Sequence, residues 1–154
     1  MNDDERLGSE QKGYLWNQAV IGTSISGLDY LRKIQAGLLQ EPPVADLIGA
    51  SIQEVKEGVV VLEIEPSERH YNIYGNVMGG VIAAVIDAAT ASAIISNLAA
   101  GIGCTTINLS VQYVRPITVD VGKMRCEARV IQVNNDVGRA EAKLVDRVGK
   151  IYAF

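Results

Sequence analysis

The sequence predicts an α+β domain in which an antiparallel sheet packs against one long central helix. Three observations carry that expectation. Residues 79 to 103 form a long apolar, Ala- and Gly-rich run with one charge, Asp87. The stretch before it, "SIQEVKEGVVVLEIEP", reads as two strands around a turn at Glu57-Gly58. After it, "CTTINLSVQYVRP", "GKMRCEARVIQVNN" and "GRAEAKLVDRVG" alternate apolar and polar side chains with the period of half-buried strands.

In chain order, residues 1–13 read as a loose tail and residues 14–39 as mixed helix and turn. The clearest helix there is "SGLDYLRKIQAGLLQ", with Ser26 as cap and Leu28, Leu31, Ile34 and Leu38 at helical spacing. Glu41-Pro42-Pro43 is expected to stop it, and a short element, "VADLIGA", follows. In the first strand pair, Val59, Val61 and Ile64 are expected to point inward. Residues 66–78 are turn-rich. The apolar helix starts near Gly79-Gly80 and ends before Gly101. In the next strand, Thr105, Ile107, Leu109, Val111 and Tyr113 form one face and Thr106, Asn108, Ser110 and Gln112 the other. "NNDVG" has hairpin-turn composition, and "KIYAF" begins a last strand. A helix apolar nearly all round needs cover on most sides, and one small sheet covers one of them. A second protomer or the N-terminal helices should cover the others, and a homo-oligomer, at least a dimer, is expected.

Composition excludes several functions. The 154 residues are 48% hydrophobic and 21% charged, enough to bury a core. Fourteen basic residues against eighteen acidic ones give a net charge of −4, with no basic cluster to bind nucleic acid. A membrane span over residues 79–103 would put Asp87 near the bilayer centre, at a cost of about 2.5–3.5 kcal/mol, so a buried helix is expected instead. The start, "MNDDERLGSEQKG", lacks the basic and apolar regions of a secretion signal. Cys104 and Cys126 have no metal spacing and read as small core residues of a reduced, cytoplasmic protein. "GTSISG" matches a serine-hydrolase turn only loosely, and no phosphate loop, dinucleotide fingerprint or zinc ligand set appears.

Asp87 needs a reason. A carboxylate among Val, Ile and Ala is costly to desolvate without compensation. One reading places it on a narrow wet stripe with Thr90 and Asn97, at helical spacing. The other begins at Met78-Gly79-Gly80, where a glycine pair opening a helix leaves unpaired N–H groups at the positive end of its dipole. Without β-carbons there, a substrate carbonyl can approach closely. Asp87 lies seven residues beyond Gly80, roughly 10 Å along the axis, too far for both to reach one carbonyl within a single protomer. Two such helices packed antiparallel across a twofold axis would bring the Asp of one to the glycines of the other.

"RHYNIYGNVMGGVIAAVIDAATASAI", "GIGCTTINLSVQYVRP" and "GRAEAKLVDRVGKIYA" together resemble the hotdog-fold acyl-CoA thioesterases of the phenylacetate-pathway type. The resemblance covers residues 44–154, implying a hotdog domain there behind a tail and helical extension over residues 1–43. "SGLDYLRKIQAGLLQEPPVADLIGA" is similar to the N-terminal extension of one bacterial branch. The family pattern is an Asn, a turn glycine, His-Gly-Gly, and an Asp eight residues past the first glycine of the pair. Here it reads Asn72, Gly75, Met78-Gly79-Gly80 and Asp87.

The resemblance implies that the Gly79 N–H polarises the thioester carbonyl, beside Gly80, and that Asn72 positions or activates the water or the carbonyl. It makes Asp87, from the partner subunit, the general base or the nucleophile, and Thr106 a holder of the attacking water. Arg115 matches an Arg-Pro at a strand end, where a CoA phosphate contact and a solvated strand terminus are both open. The substrate would be an acyl-CoA, with no cofactor, no membrane and no nucleic acid involved. The assembly would be a homodimer or homotetramer with its sites at the dimer interface. Met78 departs from the family's His, which leaves a non-catalytic acyl-CoA-binding protein as the alternative. A hotdog dehydratase ranks below both, because no His lies near Asp87 in sequence.

Overall fold

A computed structural model describes residues 24–134 and 136–154. The expected tail and the start of the mixed helix-and-turn region lie outside the described residues.

Helix α1 (Gly27–Gln35) begins where Ser26 caps it, its hydroxyl accepting from the Asp29 N–H at 3.1 Å. It buries Tyr30, Leu31 and Ile34. The helix is shorter than the sequence suggests. Gly37, at φ 70°, ends it, so Leu38 lies past the helix and is exposed. Pro43 then opens a helix instead of merely stopping one: α2 (Pro43–Ile48) carries it at the first position, where no N–H is needed. Gly27 ties this region to the rest of the molecule. A β-carbon there would lie 1.9 Å from the Ile95 carbonyl oxygen, so only glycine permits α1 to meet the end of the central helix.

Strands β1 (Ala50–Lys56), β2 (Val59–Ile64), β3 (Met124–Val133), β4 (Gly138–Val145) and β5 (Ile151–Ala153) form one antiparallel sheet in that order. The inward face of β2 is Val60, Leu62 and Ile64. Of the three residues expected to point inward, Ile64 does so, whereas Val59 is exposed and Val61 half-buried. Three consecutive valines make both faces apolar, so alternation there cannot choose a side, and the even-numbered Leu62 and Ile64 decide it.

Between β2 and β3 runs α3 (Gly79–Ile95), which packs on β2, β3 and β4. Its buried stripe is Ile82, Val85, Ile86, Ala89 and Ala93, one face at helical spacing. This stripe meets Met124, Cys126, Ala128 and Leu144 in one core. The helix stops at Ile95, short of Gly101, because Ser96 and Asn97 turn their side chains back to the Ala93 carbonyl at 2.7 and 3.0 Å.

The largest departure follows α3. Residues 104–111 form no strand ladder, and pairing begins only at Gln112 and Val114, whose N–H groups donate to Phe154 and Tyr152 on the outer edge of β5. The expected apolar face is not buried. Ile107 is 79% exposed, and Leu109 and Tyr113 are exposed too. Cys104 is likewise exposed rather than core, while Cys126 is fully buried. Alternation suits a strand with two faces, but a ladder needs a neighbour, and among the described residues this segment has none beyond β5.

Candidate active site

The site grows from the two ends of one helical span. At the start of α3, the loop before the helix is held by the backbone: Val77 donates to the Ile117 carbonyl and Met78 to that of His70, both at 2.8 Å. Met78 occupies the N-cap and offers no side-chain cap. The Gly79 and Gly80 N–H groups have no acceptor among the described residues. They are the orphan donors of a helix start, aligned with its dipole. A β-carbon on Gly80 would meet nothing nearer than Met78 Cε at 3.8 Å, and one on Gly79 would touch the Tyr113 ring at 3.4 Å. Neither glycine has a positive φ. Packing within the protomer therefore does not demand glycine at 80.

Two turns on, Asp87 lies half-buried on the side of α3 away from the buried stripe. Its Oδ1 accepts a hydrogen bond from Thr106 Oγ1 at 2.7 Å, across nineteen residues of sequence. Thr90, on the same stripe, spends its hydroxyl on the Ile86 carbonyl at 2.8 Å and reaches the Asp87 carbonyl at 3.1 Å, so it does not hydrogen-bond the carboxylate. Cys104, two residues before Thr106, lies within reach of the charge of Asp87. Although the residue as a whole is exposed, its thiol is pushed up, first by local desolvation and then by the negative charge of Asp87. One short segment thus places a hydroxyl and a protonated thiol beside the carboxylate.

Asn72 anchors the turn before the helix. Its Oδ1 accepts from the Tyr74 N–H at 2.8 Å, its carbonyl from Gly75 N–H at 3.1 Å, and its Nδ2 donates to Asn76 Oδ1 at 3.0 Å. The second Nδ2 hydrogen has no acceptor among the described residues. Gly75, at φ 76°, has a local reason to be glycine in that turn. Arg115 donates from Nη1 to the Ile151 carbonyl and is otherwise exposed, so part of its guanidinium fastens the end of the sheet.

His70 is a loop residue. It is buried in a single 3₁₀ turn (Glu68–His70), where Nδ1 accepts from the Ser67 N–H at 3.3 Å and Nε2 donates to the Leu47 carbonyl at 3.1 Å. With both nitrogens used, it does not replace the His missing at position 78. Among the described residues, no three His, Cys, Asp or Glu side chains gather as a metal site, and no helix is long and apolar enough to cross a membrane.

Two neighbours of the site escaped the sequence reading. Cys104 was legible, since a period of two puts it on the face of Thr106. Tyr113 was not, because its parity assigns it to an apolar strand face, yet its hydroxyl donates to the Gly79 carbonyl at 3.0 Å.

Known proteins show the same arrangement of elements. A thioesterase from Ralstonia eutropha JMP134, described as putative and phenylacetic acid degradation-related, is 28% identical, with a TM-score of 0.73 over 80% of this chain and 93% of its own. The Escherichia coli PaaI protein of the phenylacetic acid degradation operon is 19% identical, with a TM-score of 0.71 over 83% and 90%. A Streptococcus mutans UA159 protein bound to acetyl CoA is 18% identical, with a TM-score of 0.61 over 68% and 81%. No curated protein matches the chain in sequence. The family model described as "Thioesterase superfamily" matches residues 74–153, from the turn before α3 through β5. The chain therefore belongs to the thioesterase superfamily, with a hotdog fold.

Proposed function

We propose that the protein is an acyl-CoA thioesterase that hydrolyses its substrate to a free acid and CoA at a site completed by a second copy of the chain. The observation that carries this is the Thr106–Asp87 hydrogen bond at 2.7 Å. It gives a half-buried carboxylate a fixed orientation and a polar neighbour, on a helix face that the core does not use.

In the proposed reaction, the Gly79 N–H of one protomer receives the thioester carbonyl and stabilises the oxyanion as it forms. Asp87 of the other protomer takes a proton from water as that water attacks, or attacks the carbonyl itself. Thr106 holds the carboxylate and the water in line. The free Nδ2 hydrogen of Asn72 is available to the carbonyl or the water. The C–S bond breaks and the CoA thiolate leaves, taking up the proton that Asp87 received from water. In the nucleophilic route, water then cleaves the acyl–Asp87 anhydride to the free acid and Asp87, and its proton goes to the thiolate. Water and the chain's own groups suffice, with no cofactor. The half-buried Ala84, Ala88 and Ala91 near Asp87 suit an apolar or aromatic acyl tail. Arg115 retains N–H groups for a CoA phosphate. The ligand of the Streptococcus mutans neighbour supports a CoA thioester as the substrate class.

The second copy follows from what the protomer leaves uncovered. Residues 104–111 pair with no strand among the described residues and carry exposed Ile107 and Leu109. Pairing this edge with its twofold mate satisfies the backbone and covers those side chains. A homodimer, or a dimer of such dimers, is the assembly proposed. A cytoplasmic location suits both CoA chemistry and two cysteines with no partner.

Met78 favours one alternative, a non-catalytic acyl-CoA-binding protein. Its side chain is 56% exposed and lies beside Gly80, where a thioether supplies bulk but no strong donor. Thiol release from a panel of acyl-CoAs separates the two. Turnover that Asp87→Asn removes supports the enzyme; tight binding of acyl-CoA without turnover supports the binding protein.

A further inference from the structure

A glycine pair is a poor place to hold a catalytic donor still, because no residue has more backbone freedom. The first turn of α3 sets the direction of those N–H bonds in part, and a contact from outside the helix can hold them more firmly. The backbone fixes the peptide before the pair: Val81 and Ile82 donate to the Met78 carbonyl at 2.9 and 3.3 Å. The carbonyl of the peptide between Gly79 and Gly80, already within the first turn of α3, has a further partner from outside the helix. Tyr113 Oη donates to the Gly79 carbonyl at 3.0 Å, and the ring atoms Cε1 and Cζ lie 3.4 Å from where a Gly79 β-carbon would be.

Tyr113 is well placed to act as that partner. It sits outside α3, thirty-four residues away, on a segment that is itself pinned. The Gln112 N–H donates to the Phe154 carbonyl at 2.7 Å, and the Val114 N–H to that of Tyr152 at 2.8 Å. The end of β5 therefore aims the ring at the start of α3. Tyr113 is 54% exposed, so core packing does not account for it. Donation to the Gly79 oxygen also polarises that peptide unit and makes the Gly80 N–H a better donor.

We propose that Tyr113 is a positioning residue for the thioester carbonyl: its hydroxyl and ring lock the Gly79–Gly80 peptide so that the donors at the start of α3 are preorganised. The role rests on the thioesterase reading. Its effect is on the transition state, where the oxyanion develops, more than on binding of the ground-state substrate.

The test compares wild type, Tyr113→Phe and Tyr113→Leu in steady-state hydrolysis of an acyl-CoA that wild type turns over. It adds amide hydrogen exchange over residues 77–82 in the free protein. Tyr113→Phe is expected to lower kcat about tenfold, the size of one ordinary hydrogen bond. KM should change less than about twofold, and exchange at Val81 and Ile82, whose N–H groups close the first turn of α3, should quicken. Tyr113→Leu should lose more of both, because the ring contact goes too. An unchanged kcat in Tyr113→Phe overturns the proposal, as does a lower kcat with unchanged exchange, which would put the hydroxyl on the substrate instead. A wild-type chain inactive on every thioester sinks the thioesterase reading and the catalytic role with it. An active wild type matched by Tyr113→Phe sinks the Tyr113 role alone.

Discussion

The β3–β4 hairpin and the segment Cys104–Val111 are written in the same alternating pattern, yet they end in opposite conditions. Along the hairpin, Arg125 to Val133 pair with Val145 back to Gly138, and Met124, Cys126 and Ala128 turn inward. Its outer face carries ion pairs, Glu127 with Arg125 and with Lys143, each at 3.0 Å. Along Cys104–Val111 no ladder forms, Ile107 stands in solvent, and Thr106 turns to Asp87 instead of to a sheet. The two cysteines register the contrast. Burial pushes the Cys126 thiol up to about 12, whereas Cys104 is exposed and feels the charge of Asp87. A shared pattern therefore gives both stretches two faces, and says nothing about what they pair with. The paired one holds the fold; the other places Thr106 against Asp87.

Asp87→Asn breaks the comparison hardest if it is wrong. The loss of hydrolysis should be about 10²–10⁴-fold, the usual contribution of a general base. Thermal unfolding should stay unchanged or rise, because a half-buried charge is removed. A variant that unfolds, with a normal rate per folded molecule, would return Asp87 to a structural role.

Leu144→Ala tests the other region. Leu144 is fully buried on β4, and its truncation should cost about 2–5 kcal/mol of stability in denaturant unfolding, with kcat per folded molecule retained. Ile107→Lys separates the regions at the level of assembly. Monomer secondary structure by circular dichroism should survive, while sedimentation at micromolar concentration should show dimer giving way to monomer and hydrolysis falling in step. Wild type sedimenting as a stable monomer would defeat both the assembly and the composite site.

Alkylation sharpens the contrast without disturbing either region. With Cys126 titrating at about 12, only about one thiol in 10⁴ is thiolate at pH 8, so it should react only after unfolding. Cys104 should react in the native protein. Asp87→Asn removes a negative charge that raises the Cys104 pKa, so more thiolate forms at a given pH and alkylation should speed up. An unaltered rate, measured by mass spectrometry, would mean that the carboxylate does not act on that thiol.

The smallest expected change is at Met78. Hydrolysis by Asp87 with donors from Gly79 and Asn72 needs no imidazole, so Met78→His should alter kcat about tenfold or less. A gain of ~10²-fold or more would have the size of a recovered oxyanion donor and would mark the natural chain as a weakened enzyme.

Much of this molecule is written in local pattern. The start of α3, the β3–β4 hairpin, the Ser26 cap and the spacing of Gly79 from Asp87 all follow from periods of 3.6 and 2 and from turn chemistry. These are properties of residues close in the chain, and a sequence displays them directly. The inward face of β2 did not follow, because Val59, Val60 and Val61 suit either side until Leu62 and Ile64 meet α3. Nor did the contacts of Thr106 with Asp87 and of Tyr113 with Gly79, which span nineteen and thirty-four residues. They depend on where β5 ends and on how segment 104–114 lies along α3. Long-range partners are chosen by packing and by which backbone groups remain unpaired, and that choice is made only when the whole chain has folded.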